Sequence, residues 1–222
     1  LIIDWIRGQD NNGDENANGS GSDARATIHG DVLHSRPAVI NYNRNTPSDE
    51  NDVVAFYGSN DGIFRAVKRG LGAGGGGELW GFVPTEFFSR LKRLREGSPA
   101  ISASNKRPYF ADGPIGVYQK DVNGDGRLVA ADGDKVHLYI GMRRGGRFVY
   151  ALDVSDPQNP RLLWKKSASD TGFSELGMTW SEPKVPPIRG HANPVVIMGA
   201  GYDANQDNDP TTVSDSLGRG IT

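Results

Sequence analysis

One repeat constrains what this chain can fold into more than its composition does. Residues 53–66 read VVAFYGSNDGIFRA and residues 136–151 read VHLYIGMRRGGRFVYA. Each copy is an apolar strand, a glycine, a short glycine-containing turn and a second strand that ends in Ala. Gly58 is followed 22 residues later by Trp80 in the string ELW, and Gly141 is followed 23 residues later by Trp164 in LLW. A lead-in recurs as well: Ser35-Arg36-Pro37 and Ser181-Glu182-Pro183 each precede the first strand of a copy. A third copy begins with VVIMG at 195–199, reaches GRGI at 218–221 and stops before any Trp. Short antiparallel strands recurring every ~50 residues, with one Gly turn and one Trp per unit, are the signature of a β-propeller blade. A β-sandwich also supplies many short strands and turns, but the matched Gly-to-Trp spacing favours the propeller.

This reading predicts an all-β fold of about two and a half blades, at about 30–84, 109–166 and 180–222, following an N-terminal segment over 1–29. Propellers close with at least four blades, so this stretch does not close a ring by itself. A single helix is expected in an insertion over 85–108. Thr85 is a plausible N-cap after Pro84, Phe87, Phe88, Leu91 and Leu94 recur at helical spacing, and Gly97 stands where a C-cap belongs. Two stretches are expected to be loops. Residues 8–25 are almost wholly Gly, Asn, Asp and Ser, with too little apolar surface to offset their ordering entropy, and 70–77 form a glycine-rich connector. The chain opens at Leu1 with neither an initiator Met nor a signal peptide, which reads as a piece of something longer.

Composition excludes several classes of function. With no Cys there is no disulfide scaffold, thiolate metal site or cysteine nucleophile. Lys plus Arg number 25 against 27 Asp plus Glu, a net charge of −2 that gives no general attraction to nucleic acid. No apolar run approaches the ~18 residues of a spanning helix. Ser35 lacks the G-x-S-x-G context of a hydrolase elbow, and the 70–77 glycines lead into a strand without the Lys-Ser/Thr of a phosphate-binding loop. His29, His34, His137 and His191 read as structural or surface residues. The cluster of Arg143, Arg144 and Arg147 reads as a solvated turn, with a basic patch for an acidic partner as the alternative.

The sharpest motif is DVNGDGRLVAAD at 121–132. Oxygen-bearing residues at positions 1, 3 and 5, glycine at 6 and a carboxylate at 12 match the calcium loop of an EF-hand. Ca²⁺ takes six to eight hard oxygens, and alternate side chains of a tight loop converge on one point. The expected ligands are Asp121, Asn123, Asp125, the Arg127 carbonyl and Asp132, with Asp rather than Glu in the last place as in dockerin loops. An ordinary solvated turn is the competing reading. Asp203–Asp209 repeats the alternate oxygens without a closing ligand, and Asp10–Asn16 lies in the low-complexity loop.

A set of strings then acquires a common meaning. HGDVLHSRP at 29–37, YGSNDG at 57–62, LWGFVP at 79–84, ADG at 111–113, GMRRGG at 141–146, YALDV at 150–154, LGMTWSEP at 176–183 and GYD at 201–203 together resemble the C-terminal domain of PilC/PilY-type type IV pilus proteins, in order and over nearly the whole chain. The resemblance implies a modified propeller related to the quinoprotein dehydrogenases, in a non-enzymatic pilus biogenesis factor and pilus-associated adhesin. It also implies export to the outer-membrane surface or pilus tip of a Gram-negative bacterium, minor pilins and a host or abiotic surface as partners, and a role for Ca²⁺. The family's best-known calcium loop is a nine-residue segment in a later blade, so Asp121–Asp132 rests on its own ligand types. The Arg-Gly-Asp tripeptide of some relatives is missing. The alternative is a quinoprotein dehydrogenase using Ca²⁺ and pyrroloquinoline quinone. The vicinal disulfide common in alcohol dehydrogenases of that type cannot form without Cys.

Overall fold

The computed structural model describes residues 1–11, 18–46, 51–70, 75–208 and 214–222. It is mostly β, with two four-stranded antiparallel sheets in simple sequential order. The first sheet contains β1 (Ala38–Asn41), β2 (Val53–Gly58), β3 (Phe64–Lys68) and β4 (Glu78–Phe82). The second contains β5 (Ile115–Lys120), β6 (Lys135–Gly141), β7 (Phe148–Asp153) and β8 (Arg161–Ser167). Helices are few and short: α1 (Ile2–Ile6) at the start and α2 (Phe88–Glu96) between the sheets.

The repeat read from the sequence is a repeat of three-dimensional positions. Ala66 pairs with Trp80 across β3 and β4, Ala151 pairs with Trp164 across β7 and β8, and in both sheets the register slips immediately after that Ala. The Trp ring of each unit lies against the aromatic residue two places before the Gly: Trp80 on Phe56 at 5.8 Å between ring centroids, Trp164 on Tyr139 at 5.7 Å. The Ala is small where the Trp across from it is large, which is how a cross-strand pair fills a pleated face.

Strand alternation decides what each face meets. Val54, Phe56, Phe64 and Ala66 of the first sheet share one buried cluster with Val136, Leu138, Ile140, Tyr150 and Leu152 of the second, so the two sheets stack on one core. At the rim, Phe82 meets Tyr150 edge-on at 5.1 Å, Tyr42 Oη donates to the Val154 carbonyl at 2.7 Å and Trp80 Nε1 donates to the Pro157 carbonyl at 2.8 Å. Close backbone approach explains two glycines of the ADG and YG strings. A Cβ on Gly58 would lie 2.0 Å from the Ala111 carbonyl oxygen, and one on Gly113 would lie 2.1 Å from that of Gly141.

Beyond the second sheet, residues 176–208 and 214–222 pack against it, with Thr179 bridged to Arg143 and its Oγ1 accepting from Met142 N at 2.7 Å. They form isolated antiparallel bridges, Met178 with Tyr202, Lys184 with Ile197 and Gly199 with Ile221, and no named strand among the described residues. The serine of each lead-in has a defined task. Ser35 Oγ accepts from Gly58 N at 2.8 Å and Ser181 Oγ accepts from Gly199 N at 3.0 Å, so each hydroxyl satisfies the amide of the glycine that ends the next VVAFYG or VVIMG string.

The helix differs in detail from its expected form. Thr85 opens a 3₁₀ turn (Thr85–Phe87) and caps nothing, and α2 begins at Phe88. Phe87 and Leu91 are buried, while Phe88 is 56% exposed. Gly97 is left-handed at φ 60°, as a C-cap requires. The base of the 8–25 loop is tied by a Gln9–Ala24 bridge and by Arg25, which stacks on the Trp5 ring at 3.7 Å. Residues 12–17 and 71–74 lie outside the described residues. Among the described residues no helix is long and apolar enough to cross a membrane.

Candidate functional site

The turns at the two ends of the stacked sheets carry the polar chemistry. At one end lies the 121–134 loop between β5 and β6. Asp121 organises it: Oδ1 accepts from Gly124 N at 2.6 Å and Oδ2 from Gly126 N at 2.8 Å. Asn123 Oδ1 accepts from Asp125 N at 3.1 Å and Asp125 Oδ1 accepts from Arg127 N at 2.9 Å, so the side chains at positions 1, 3 and 5 each hold a backbone amide of the loop. Arg127 contributes more than a carbonyl. Its guanidinium holds Asp125 Oδ2 at 2.9 and 2.7 Å and keeps that carboxyl below its ordinary pKa. Asp132 stands exposed on a 3₁₀ turn (Ala130–Asp132). The carboxylate that closes the loop is Asp134, which is 1% exposed and accepts from Val122 N at 2.8 Å and Val129 N at 2.9 Å. It lies two residues past the end of the motif, so the motif gave no signal for it.

The loop fits a hard cation in part. Each oxygen of Asp121 accepts one N–H and keeps a second lone pair. Asn43 arrives from the first sheet with φ 52°, its Nδ2 donates to the Gly126 carbonyl at 3.1 Å, and its Oδ1 is buried without a partner. Against this, a cation at Asp125 would have to displace Arg127, and no three His, Asp or Glu among the described residues are grouped to hold a metal.

At the other end, residues 29–37 fold down onto the SNDG turn and the ADG segment. Asp112 is 1% exposed. It accepts from His34 Nδ1 at 2.7 Å, from His34 N at 3.2 Å and from Asn60 Nδ2 at 3.2 Å. Asn60 also accepts from Phe110 N and donates to Asp31, which is paired with Arg107. Burial pushes the Asp61 carboxyl up, but Arg65, the Ser59 hydroxyl and Gly30 N hold it below its ordinary value. His29 bonds its own ring to the Gly30 carbonyl and to Tyr57 Oη. Asp112 and Asn60 were not singled out as site residues, yet the strings ADG and SNDG contain them.

The two arginines of the GMRRGG turn and Arg147 just after it are not a free basic patch or a solvated turn. Arg143 stacks on Trp180 at 4.2 Å, Arg144 pairs with Asp207 through two contacts of 2.5 and 2.7 Å, and Arg147 donates to the Leu176 and Ser174 carbonyls. They fasten residues 174–207 to the second sheet, and Trp180 stacks on Tyr202 at 4.4 Å beside them. The second acidic cluster is used in the same way. Asp203 accepts from Asn205 N, Ser216 N, Ser216 Oγ and Leu217 N, and Asp209 lies outside the described residues. Backbone N–H groups hold Asp203 at a pKa of about 2, and the Arg144 guanidinium does the same for Asp207. Folded values below the ordinary carboxylate range stabilise the fold above about pH 4, and that contribution is lost as pH falls toward 2. Acidification through this window is therefore expected to release 176–208 from the second sheet before the core melts. The Trp180 fluorescence and the near-ultraviolet circular dichroism of the Trp180–Tyr202 stack would report it, and Asp207→Asn should show the released signal already near neutral pH.

A concave surface lies on the free face of the first sheet. Between it, α1 and α2 lies a groove of about 950 Å³, lined by Ile2, Ile6, Ile63, Val67, Val83 and Leu91, with Arg65 and Glu78 paired at its wall.

Comparison with known proteins decides what this architecture belongs to. No family model matches the chain. The type IV pilus biogenesis factor PilY1 of Pseudomonas aeruginosa strain UCBPP-PA14 is 30% identical over 226 residues, covering 92% of this chain. The chain is a PilY1 homologue. The PilY1 homolog of Xylella fastidiosa strain Temecula1 is 27% identical over 205 residues and covers 83% of the chain. The chain spans only 17% and 15% of the length of these two PilY1 relatives. The crystal structure of the Pseudomonas aeruginosa PilY1 C-terminal domain aligns with a TM-score of 0.47 at 24% identity, covering 69% of this chain and 26% of that one.

Proposed function

We propose that the chain is a structural segment of an exported type IV pilus biogenesis factor, and that its two sheets are consecutive blades of a propeller related to the quinoprotein dehydrogenases, with about 180–222 contributing to a third. The observation that carries this is the homology to PilY1 over most of the chain, joined to two sheets that repeat the same Ala–Trp pair, slip and aromatic contact. The role is scaffolding and not catalysis. Asp112, His34, Asn60, Asp61 and Arg65 converge at one end, and every one of them is spent on bonds that join neighbouring segments. In this reading the protein acts at the cell surface or pilus tip, with pilins and an attachment surface as its partners.

The test is genetic. Cells lacking the parent protein should have few surface pili and attach poorly. The intact parent should restore both, and a parent carrying Leu138→Asp, which puts a charge in the shared core, should restore neither. Normal piliation in the deletion strain, or full rescue by Leu138→Asp at normal protein level, would refute the proposal.

Calcium is the second element of the reading. Asp121, Asn123 and Asp125 would supply the side-chain oxygens, with the Arg127 carbonyl and Asp132 completing the set, and the orphaned Asn43 Oδ1 supports a cation nearby. Three carboxylates predict an affinity on the order of 10⁻⁴ to 10⁻⁶ M and a stabilised second sheet. Calorimetry with Ca²⁺ on the unaltered protein and on Asp125→Ala tests this. Equal heats and equal melting temperatures would remove the site.

A further inference from the structure

Asn123 and Gly124 form an Asn-Gly pair on an exposed turn, with Gly124 at φ 71°. Such a pair is chemically labile, because the glycine leaves the approach of its own nitrogen to the asparagine side chain unhindered. In that reaction Gly124 N, after losing its proton to solvent base, attacks Cγ of Asn123. A C–N bond forms, Nδ2 leaves as ammonia and a five-membered succinimide results. Water then opens the ring at either carbonyl, giving aspartate or isoaspartate. The balance is one water consumed and one ammonia released, with no oxidant or reductant.

The geometry points to Asn123 as a deamidation site that the folded loop holds in check through Asp121. The nucleophile is tied: Gly124 N donates to Asp121 Oδ1 at 2.6 Å. Removing that proton would place a second negative charge against a carboxylate, which opposes it. The electrophile is tied too. Asn123 Oδ1 accepts from Asp125 N at 3.1 Å and Nδ2 lies 3.4 Å from Asp125 Oδ2, so both ends of the amide are engaged by residue 125 and its rotation onto Gly124 N requires those contacts to break. The second oxygen of Asp121, on Gly126 N at 2.8 Å, fixes the turn that sets both contacts. Cyclisation therefore requires the loop to open first, and its rate is the intrinsic rate multiplied by the open fraction. The product carries a carboxylate at the third position of the loop, or an extra methylene in its backbone, so each event permanently alters this end of the second sheet.

Peptide mapping by mass spectrometry tests this on the whole chain, incubated in chelator so that the outcome does not depend on whether the loop binds calcium. In native buffer the peptide containing Asn123 should gain mass about tenfold or more slowly than in urea at the same pH, as expected for a loop closed most of the time. Asp121→Ala should bring the native rate close to the urea rate, with Asp121→Asn between the two because its amide oxygen still accepts. Circular dichroism on the same samples separates an opened loop from an unfolded protein. Equal native and urea rates in the unaltered chain would overturn the proposal, as would an unchanged native rate in a folded Asp121→Ala variant.

Discussion

Replacing Phe56 with Ala is expected to cost about 3–5 kcal/mol, the range for removing a fully buried aromatic ring. The side chain is 0% exposed, belongs to the core shared by both sheets and supports Trp80 at 5.8 Å. Domain stability is typically about 5–15 kcal/mol, so a single change of this size removes a large part of it. Urea unfolding followed by far-ultraviolet circular dichroism would measure the loss. The structural reason for a large value is that Phe56 lies between the two units, so the cavity opens where neither sheet can relax alone. A loss below about 1 kcal/mol would mean that the sheets do not meet at this ring.

Removing the Asp112 side chain with Asp112→Ala is expected to cost about 1–3 kcal/mol, because a buried carboxylate that ties three donors together is lost. His34 N and His34 Nδ1 lose their acceptor, and Asn60 Nδ2, on a side chain of a residue 4% exposed, is left with Asp31 alone. The effect should spread, since this carboxylate joins the 29–37 segment and the SNDG turn to the entry of the second sheet. Asp112→Asn keeps one oxygen acceptor and should cost clearly less. Equal losses for Asp112→Ala and Asp112→Asn would show that packing and not hydrogen bonding governs the position.

The repeat was legible in the sequence because it is written in residues with strong local preferences. Gly58 and Gly141 end strands, Ala66 and Ala151 leave room, and Trp80 and Trp164 fill it. Periodicity alone was enough to align them. The helix was legible from Phe87, Leu91 and Gly97 but not its start, because an N-cap depends on backbone geometry that Thr85 merely permits. The polar ends were less legible. Asp134 closes its loop from outside the motif, and Asp112 receives His34 and Asn60 from segments 78 and 52 residues away. The arginines at 143–147 looked solvated because their partners, Trp180, Asp207 and the Leu176 carbonyl, are supplied by a later segment. Spacing reveals contacts within a unit, whereas contacts between units depend on how the units stack.

That stacking is the centre of the account, and amide hydrogen exchange measures it most directly. If the two sheets share one core, the slowest amides lie in β2, β3, β6 and β7 and open at a single free energy. Phe56→Ala then lowers protection in both sheets by the same amount, although the substitution lies in only one. Two different opening free energies, with loss of protection in β2 and β3 and an unchanged β6 and β7, would show that the sheets fold separately and would contradict it.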